Sequence, residues 1–216
     1  MQTWNFTNVL LAAILFHYTY SVPINRDAAA VTNFLTTIAS QDTRTDSLVT
    51  LNYQNMASKK SPDHDNAKDP LFTQVDGSVN AGPIYTQIAT LSKFYQHDSE
   101  IPIDSDFSTA IANFIDTIVE TTPMTAAWTF LQSLGLATND KASFKTQLYN
   151  LWFLPYARKS VTGSCGFKSV FVGEITEKTV TSFSNWYGFY LQEASGDINY
   201  HGWFTKINVS VQTPKF

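Results

Sequence analysis

The stretch Gly163-Ser-Cys-Gly-Phe-Lys-Ser-Val-Phe-Val-Gly-Glu-Ile175, followed by Val180-Thr-Ser-Phe-Ser-Asn-Trp-Tyr-Gly-Phe-Tyr-Leu-Gln-Glu193, decides how this chain is read. Near residue 160 the apolar spacing changes from a helical period to a period of two. Residues 169–175 and 178–184 read as strands bounded by turn-formers. Glu174-Ile-Thr-Glu-Lys-Thr179 supplies the reversal between them. With Thr176 and Glu177 at the turn centre, residue 169 falls opposite residue 184. Directly opposed antiparallel residues hold their Cβ atoms about 4.5–5.5 Å apart, so Ser169 and Ser184 are expected side by side. Residues 186–193 read as a short helix carrying Trp186, Phe189, Tyr190 and Leu191, and the alternation resumes from Asp197 to Ile207.

Upstream the spacing is mainly helical. Val31, Phe34, Leu35 and Ile38 recur at i, i+3, i+4 and i+7. Pro83 opens a helix with Ile84, Ile88, Leu91 and Tyr95 on one face. Asp104 or Ser105 caps the next, which turns Phe107, Ile111, Phe114, Ile115 and Ile118 inward. Pro123 starts another, with Ala127, Trp128, Leu131 and Leu134, and Gly135 ends it. Asn139 or Asp140 caps a last helix that buries Phe144, Leu148, Leu151 and Trp152. The polar run from Asn55 to Asp69 reads as an exposed loop.

The chain has 216 residues, 44% of them hydrophobic and 14% aromatic, which suits a folded core and excludes a disordered protein. A net charge of -4 gives no global field drawing in nucleic acid. Val9-Leu-Leu-Ala-Ala-Ile-Leu-Phe16 is too short to cross a bilayer. It precedes small residues at Thr19-Tyr-Ser21, so residues 1–21 read as a secretory signal peptide, and the product is expected outside the cell with no membrane contact after cleavage. Asn208-Val-Ser210 is a glycosylation sequon consistent with secretion. Cys165 is the lone cysteine, so no internal disulfide is expected. It is read as a small filler residue, with exposure in a Gly/Ser-rich turn as the other reading.

The two quoted strings together resemble the signature region of the EndoU family, the uridylate-specific endoribonucleases. That pattern runs roughly Ser-Gly-Phe-Glu-His-Val-Phe-Val-Gly-Glu and then Phe-His-Asn-Trp. The resemblance covers most of the chain beyond residue 21. Leu71-Phe-Thr-Gln-Val75 and Leu148-Tyr-Asn-Leu-Trp-Phe153 are similar to segments of the family's helical lobe. It implies an α+β fold: an EndoU-like domain over residues 22–216, with a helical lobe at 22–160 and an antiparallel, β-rich lobe at 161–216. Measured against the family, that second lobe is incomplete. The continuation that bears the catalytic lysine is not expected in this chain, and Lys206 and Lys215 do not inherit its role.

The family reaction, as the resemblance implies it, makes the 2′-hydroxyl attack its own phosphodiester and leaves a 2′,3′-cyclic phosphate. One histidine takes the proton from the nucleophile and another gives one to the leaving oxygen. Imidazole suits both tasks because its reference pKa is about 6.5. Here Ser169 and Ser184 occupy the two histidine positions. A serine hydroxyl does not cycle a proton near neutral pH, and to act as a nucleophile it needs a neighbouring base. Lys168 is adjacent, but in a strand it points to the opposite face. Glu174 matches an acid of the family's site region and is a candidate for site support, along with Lys168, or for contact with metal. Gly166, Gly173, Asn185 and Trp186 match as structural residues. His201 matches no catalytic position.

Two readings of function follow. In the first, the chain is catalytically silent and binds single-stranded RNA, or a protein partner at the incomplete sheet edge. In the second, it is an active, Mn²⁺-stimulated, uridine-preferring endoribonuclease. No cofactor is expected in the first.

Overall fold

A computed structural model describes residues 28–41, 46–57, 64–95, 101, 104–158, 161–175 and 180–203. The signal-peptide reading, the sequon at Asn208 and the alternation beyond Trp203 lie outside the described residues. The fold is α+β. Seven α-helices are defined among the described residues: α1 (Ala28–Gln41), α2 (Gly77–Ala81), α3 (Pro83–Ser92), α4 (Ser105–Val119), α5 (Thr122–Ser133), α6 (Lys141–Trp152) and α7 (Trp186–Ser195). None is long and apolar enough to cross a membrane.

The helix starts follow the sequence signals. The Asp104 carboxylate accepts the Phe107 N–H at 2.7 Å and that of Asp140 accepts the Ser143 N–H at 2.7 Å. Each satisfies a donor that the first turn leaves without a partner. Pro83 and Pro123 sit in first turns, where proline's missing N–H costs nothing. Past α5, Gly135 takes φ +70° and lets the chain fold back, so that the Leu136 N–H reaches the Leu131 carbonyl at 2.8 Å.

Apolar stripes from α1, α3, α4, α5 and α6 meet in one core with Phe114, Ile88, Leu91 and Ile38 fully enclosed. Every inward position expected on α4 is buried. On α1 the stripe is narrower than expected: Phe34 and Ile38 are buried, whereas Leu35 is 47% exposed. Within the run expected to be an exposed loop, Ala57 and Ala67 are buried.

The strands are short and form three separate antiparallel pairs among the described residues. In the helical half β1 (Val49–Leu51) pairs with β2 (Phe72–Val75), with Val49 opposite Val75. Then β3 (Tyr156–Arg158) pairs with β4 (Val161–Ser164), and β5 (Glu174–Ile175) with β6 (Val180–Ser182). The alternation expected from Asp197 builds no strand as far as Trp203, only a single parallel bridge between Trp203 and Met56.

The reading of residues 169–175 as one strand is corrected. Lys168–Val172 is a π-helical turn, continuing a helical start at Gly166. Phe167, Lys168, Phe171 and Val172 are buried while Ser169 and Val170 between them are only half-buried, the i, i+1, i+4, i+5 spacing of a helical face rather than the alternation of a strand. Short apolar runs such as Val170-Phe-Val172 carry no reliable period of their own. The strand begins only at Glu174, after Gly173 turns the chain at φ +101°.

A long-range latch joins the end of α7 to the start of β2. The Glu193 carboxylate at the end of α7 accepts the backbone N–H groups of Leu71 at 2.8 Å and Phe72 at 3.0 Å. The Phe72 ring lies against Trp186, Phe189 and Tyr190. Hydrogen bonds to a charged acceptor are the stronger kind. Glu193→Ala is expected to lower stability by about 2 kcal/mol, read from the urea midpoint, whereas a change at the exposed neighbour Ala194 is expected to leave that midpoint in place.

Candidate functional site

The π-helical turn brings Ser169 against three oxygen-bearing side chains. Ser169 Oγ donates to Glu174 Oε1 at 2.6 Å and lies 2.8 Å from the Tyr156 hydroxyl. Ser164 Oγ also donates to Glu174 Oε1 and is 3.3 Å from Ser169 Oγ and from the Tyr156 hydroxyl. The sequence signals for this cluster are partial. Ser169 and Glu174 stand in the signature, but the register that pairs Tyr156 with Ser164 completes it, and Tyr156 and Ser164 were not singled out by sequence.

The expected contact across a hairpin between Ser169 and Ser184 does not form. The ladder of β5 and β6 sets Glu174 opposite Ser182, and Ser169 is in the π-helical turn rather than in a strand. Ser184 is exposed, directly before the Asn185 that caps α7. Asn185 Oδ1 accepts from the Tyr187 N–H at 2.8 Å and the Gly188 N–H at 3.4 Å, as expected of a capping asparagine. Trp186 is buried in the core.

Lys168 is 6% exposed, and its ammonium donates to the Gly163 carbonyl at 2.8 Å. It serves the turn from inside. Lys168 stands in the π-helical turn and not in a strand, so its ammonium is engaged by the Gly163 carbonyl rather than aimed at an opposite strand face. Cys165 is completely buried, with Sγ 3.4 Å from the Tyr95 hydroxyl, so the filler reading holds and exposure in the turn does not. Burial pushes the Cys165 thiol up and holds Tyr95 far above the ordinary tyrosine value of 10.0. His201 is half-buried and far along the chain from this cluster. Its backbone carbonyl accepts from Asn66 N–H at 3.3 Å.

The tyrosines make stability depend on alkaline pH. Tyr95 is raised first by burial, then by the neighbouring Cys165, and Tyr187 is pushed up to about 12, again chiefly by burial. A raised phenol contributes fully below its unfolded value of 10.0 and loses that contribution as pH climbs toward its folded value. Unfolding stability is expected to fall above pH 10, by up to about 1.4 kcal/mol per pH unit for each such group. Tyr95→Phe is expected to flatten that limb in a urea series.

The donor set around Glu174 is one carboxylate and three hydroxyls. Among the described residues no group of three or more His, Cys, Asp or Glu side chains converges to hold a metal ion. These residues do not fit a dedicated Mn²⁺ site, and no chemical step is derived through one.

With this geometry in place, comparison with known proteins gives the class. The family model of the endoribonuclease XendoU matches residues 29–216, and the chain belongs to that family. It is 36% identical over 151 residues to uridylate-specific endoribonuclease B of Danio rerio, covering 68% of this chain and 54% of that protein. It is 34% identical over 152 residues to poly(U)-specific endoribonuclease-A of Xenopus laevis, covering 68% and 52%. The chain thus spans about half the length of the curated relatives it matches. Its fold is similar to the solved structure of XendoU, titled a splicing independent snoRNA processing endoribonuclease. The TM-score is 0.67 and the identity 27%, over 81% of this chain and 65% of that one.

Proposed function

We propose that this XendoU-family chain is a secreted RNA-binding protein that does not cleave RNA. The observation that carries the reading is Ser169 itself. At the first position where the family resemblance calls for an imidazole, a hydroxyl hydrogen-bonds to Glu174 and Tyr156. At the second, Ser184 is an exposed hydroxyl before a helix cap. Neither group takes up and returns a proton near neutral pH. Loss of one acid–base group costs about 10²–10⁴-fold in rate, and loss of both acid and base leaves little above background. RNA is the ligand that family membership favours. Secretion rests on the first 21 residues, which hold no Lys, Arg, Asp or Glu and carry the apolar run at residues 9–16 before the small residues Thr19 and Ser21.

The test incubates the purified chain with a fluorogenic uridine-containing oligonucleotide, with and without Mn²⁺. Cleavage is expected to match buffer. Cleavage that yields cyclic-phosphate ends and vanishes in Glu174→Ala would instead establish the active, Mn²⁺-stimulated reading, with Glu174 as base. Binding of the same oligonucleotide is expected to weaken as salt rises, because phosphate contacts release counterions. A salt-independent or undetectable affinity would point to a protein partner instead.

A further inference from the structure

We propose that Ser169 is a reactive nucleophile that accepts acyl groups from activated carboxylic esters, with Glu174 as its general base. This activity is independent of RNA binding. A serine becomes nucleophilic when a positioned base takes its proton, and the arrangement to look for is a nucleophile within hydrogen-bond reach of a base that a third group holds in place. The Ser169 Oγ to Glu174 Oε1 distance of 2.6 Å meets the first condition. The Ser164 hydroxyl, on the same carboxylate oxygen, meets the second.

The two serines are not equivalent. Ser164 is 1% exposed, enclosed behind the cluster. Ser169 is half-buried, and its neighbour Tyr156 is 41% exposed, so the cluster opens to solvent on the side of Ser169 and Tyr156. A hydroxyl oxygen carries two lone pairs. With the Ser169 O–H turned to Glu174, attack on a carbonyl carbon uses an oxygen lone pair on the open side, beside the Tyr156 hydroxyl at 2.8 Å. The single Tyr156 proton leaves the Ser169 oxygen as that oxygen bonds to the acyl carbon, and then donates to charge developing on the substrate.

The step balances without a further reactant. Ser169 Oγ bonds to the acyl carbon while its proton passes to Glu174. The ester C–O bond breaks, and the departing alkoxide takes that proton back. Water then hydrolyses the acyl-serine, releasing a carboxylic acid and restoring the hydroxyl. No phosphodiester is cut, so a failed RNA-cleavage assay has no bearing on this proposal.

The probe is an aryl fluorophosphonate, which bonds to an activated serine with loss of fluoride, the serine proton leaving through the base. The full chain is treated with it, and the adduct is mapped by mass spectrometry of intact protein and peptides. The expected result is one adduct on Ser169 in the folded chain, absent from the urea-unfolded chain and from Ser169→Ala. Glu174→Gln is expected to label about 100-fold more slowly, the lower end of the usual general-base contribution. Failure to label Ser169 in the folded chain overturns the proposal. So does equal labelling after unfolding, or an unchanged rate in a Glu174→Gln variant whose circular dichroism matches the parent.

Discussion

Phe167→Ala is expected to lower unfolding stability by about 3–5 kcal/mol, the range for deleting a fully enclosed aromatic side chain. Phe167 is completely buried. Its ring lies 5.7 Å from Tyr95, 5.3 Å from Phe114, 5.2 Å from Phe153 and 5.1 Å from Phe171, centroid to centroid. Those rings come from just past α3, from α4, from the end of α6 and from the π-helical turn, so one side chain ties three helices to the turn that carries Ser169. Relaxation fills little of such a cavity, because each neighbour is held by its own element. The measurement is a urea titration with near-ultraviolet circular dichroism. The midpoint is expected to drop and the aromatic signal to fall in the native baseline. A loss under about 1 kcal/mol, the scale of a volume-conserving swap, would mean that this ring cluster does not tie the helices to the π-helical turn.

The same residues explain which parts were legible in sequence. Six of the seven helices among the described residues were, because caps and stripes are local: Asp104, Asp140, Pro83 and Asn185 all do in the structure what their spacing implies, whereas the five-residue α2 is too short to show a stripe. The α+β class and the family followed from the signature strings. The register of the site did not. Val170-Phe-Val172 satisfies a strand pattern, but Phe167 and Phe171 settle the matter through partners on α3, α4 and α6 that a local window does not contain. The β1–β2 pair escaped for a related reason. Its strands are three and four residues long and are separated by twenty intervening positions, so no turn signal links them. Tyr156 and Ser164 reach Ser169 only through the β3–β4 register, and Glu193 finds the N–H groups of Leu71 and Phe72 over a separation of 122 and 121 residues. Each is a polar residue whose importance lies in where the chain returns.

Gly188→Ala tests how tightly α7 is seated against that turn. A β-carbon at residue 188 would lie 2.2 Å from the Phe171 carbonyl oxygen and 3.0 Å from its carbonyl carbon. Both atoms are backbone, within the π-helical turn, so no side-chain rotation relieves the contact. Alanine gains about 1 kcal/mol over glycine inside a helix, which by itself would stabilise α7. Overpacking of this kind costs about 1–3 kcal/mol and occasionally more, and at 2.2 Å against rigid backbone the upper end applies. The expected net result is a loss of about 2 kcal/mol in urea unfolding, together with altered packing of Tyr187 and Trp186, the buried aromatics beside it. A net gain would show that α7 stands off the turn. Glycine at this position lets α7, which the Asn185 cap opens, lie directly against the turn that bears Ser169. The backbone therefore retains the close approach between the two signature segments although neither carries an imidazole at its signature position, which is why the chain is readable as a family member while its proton chemistry is not.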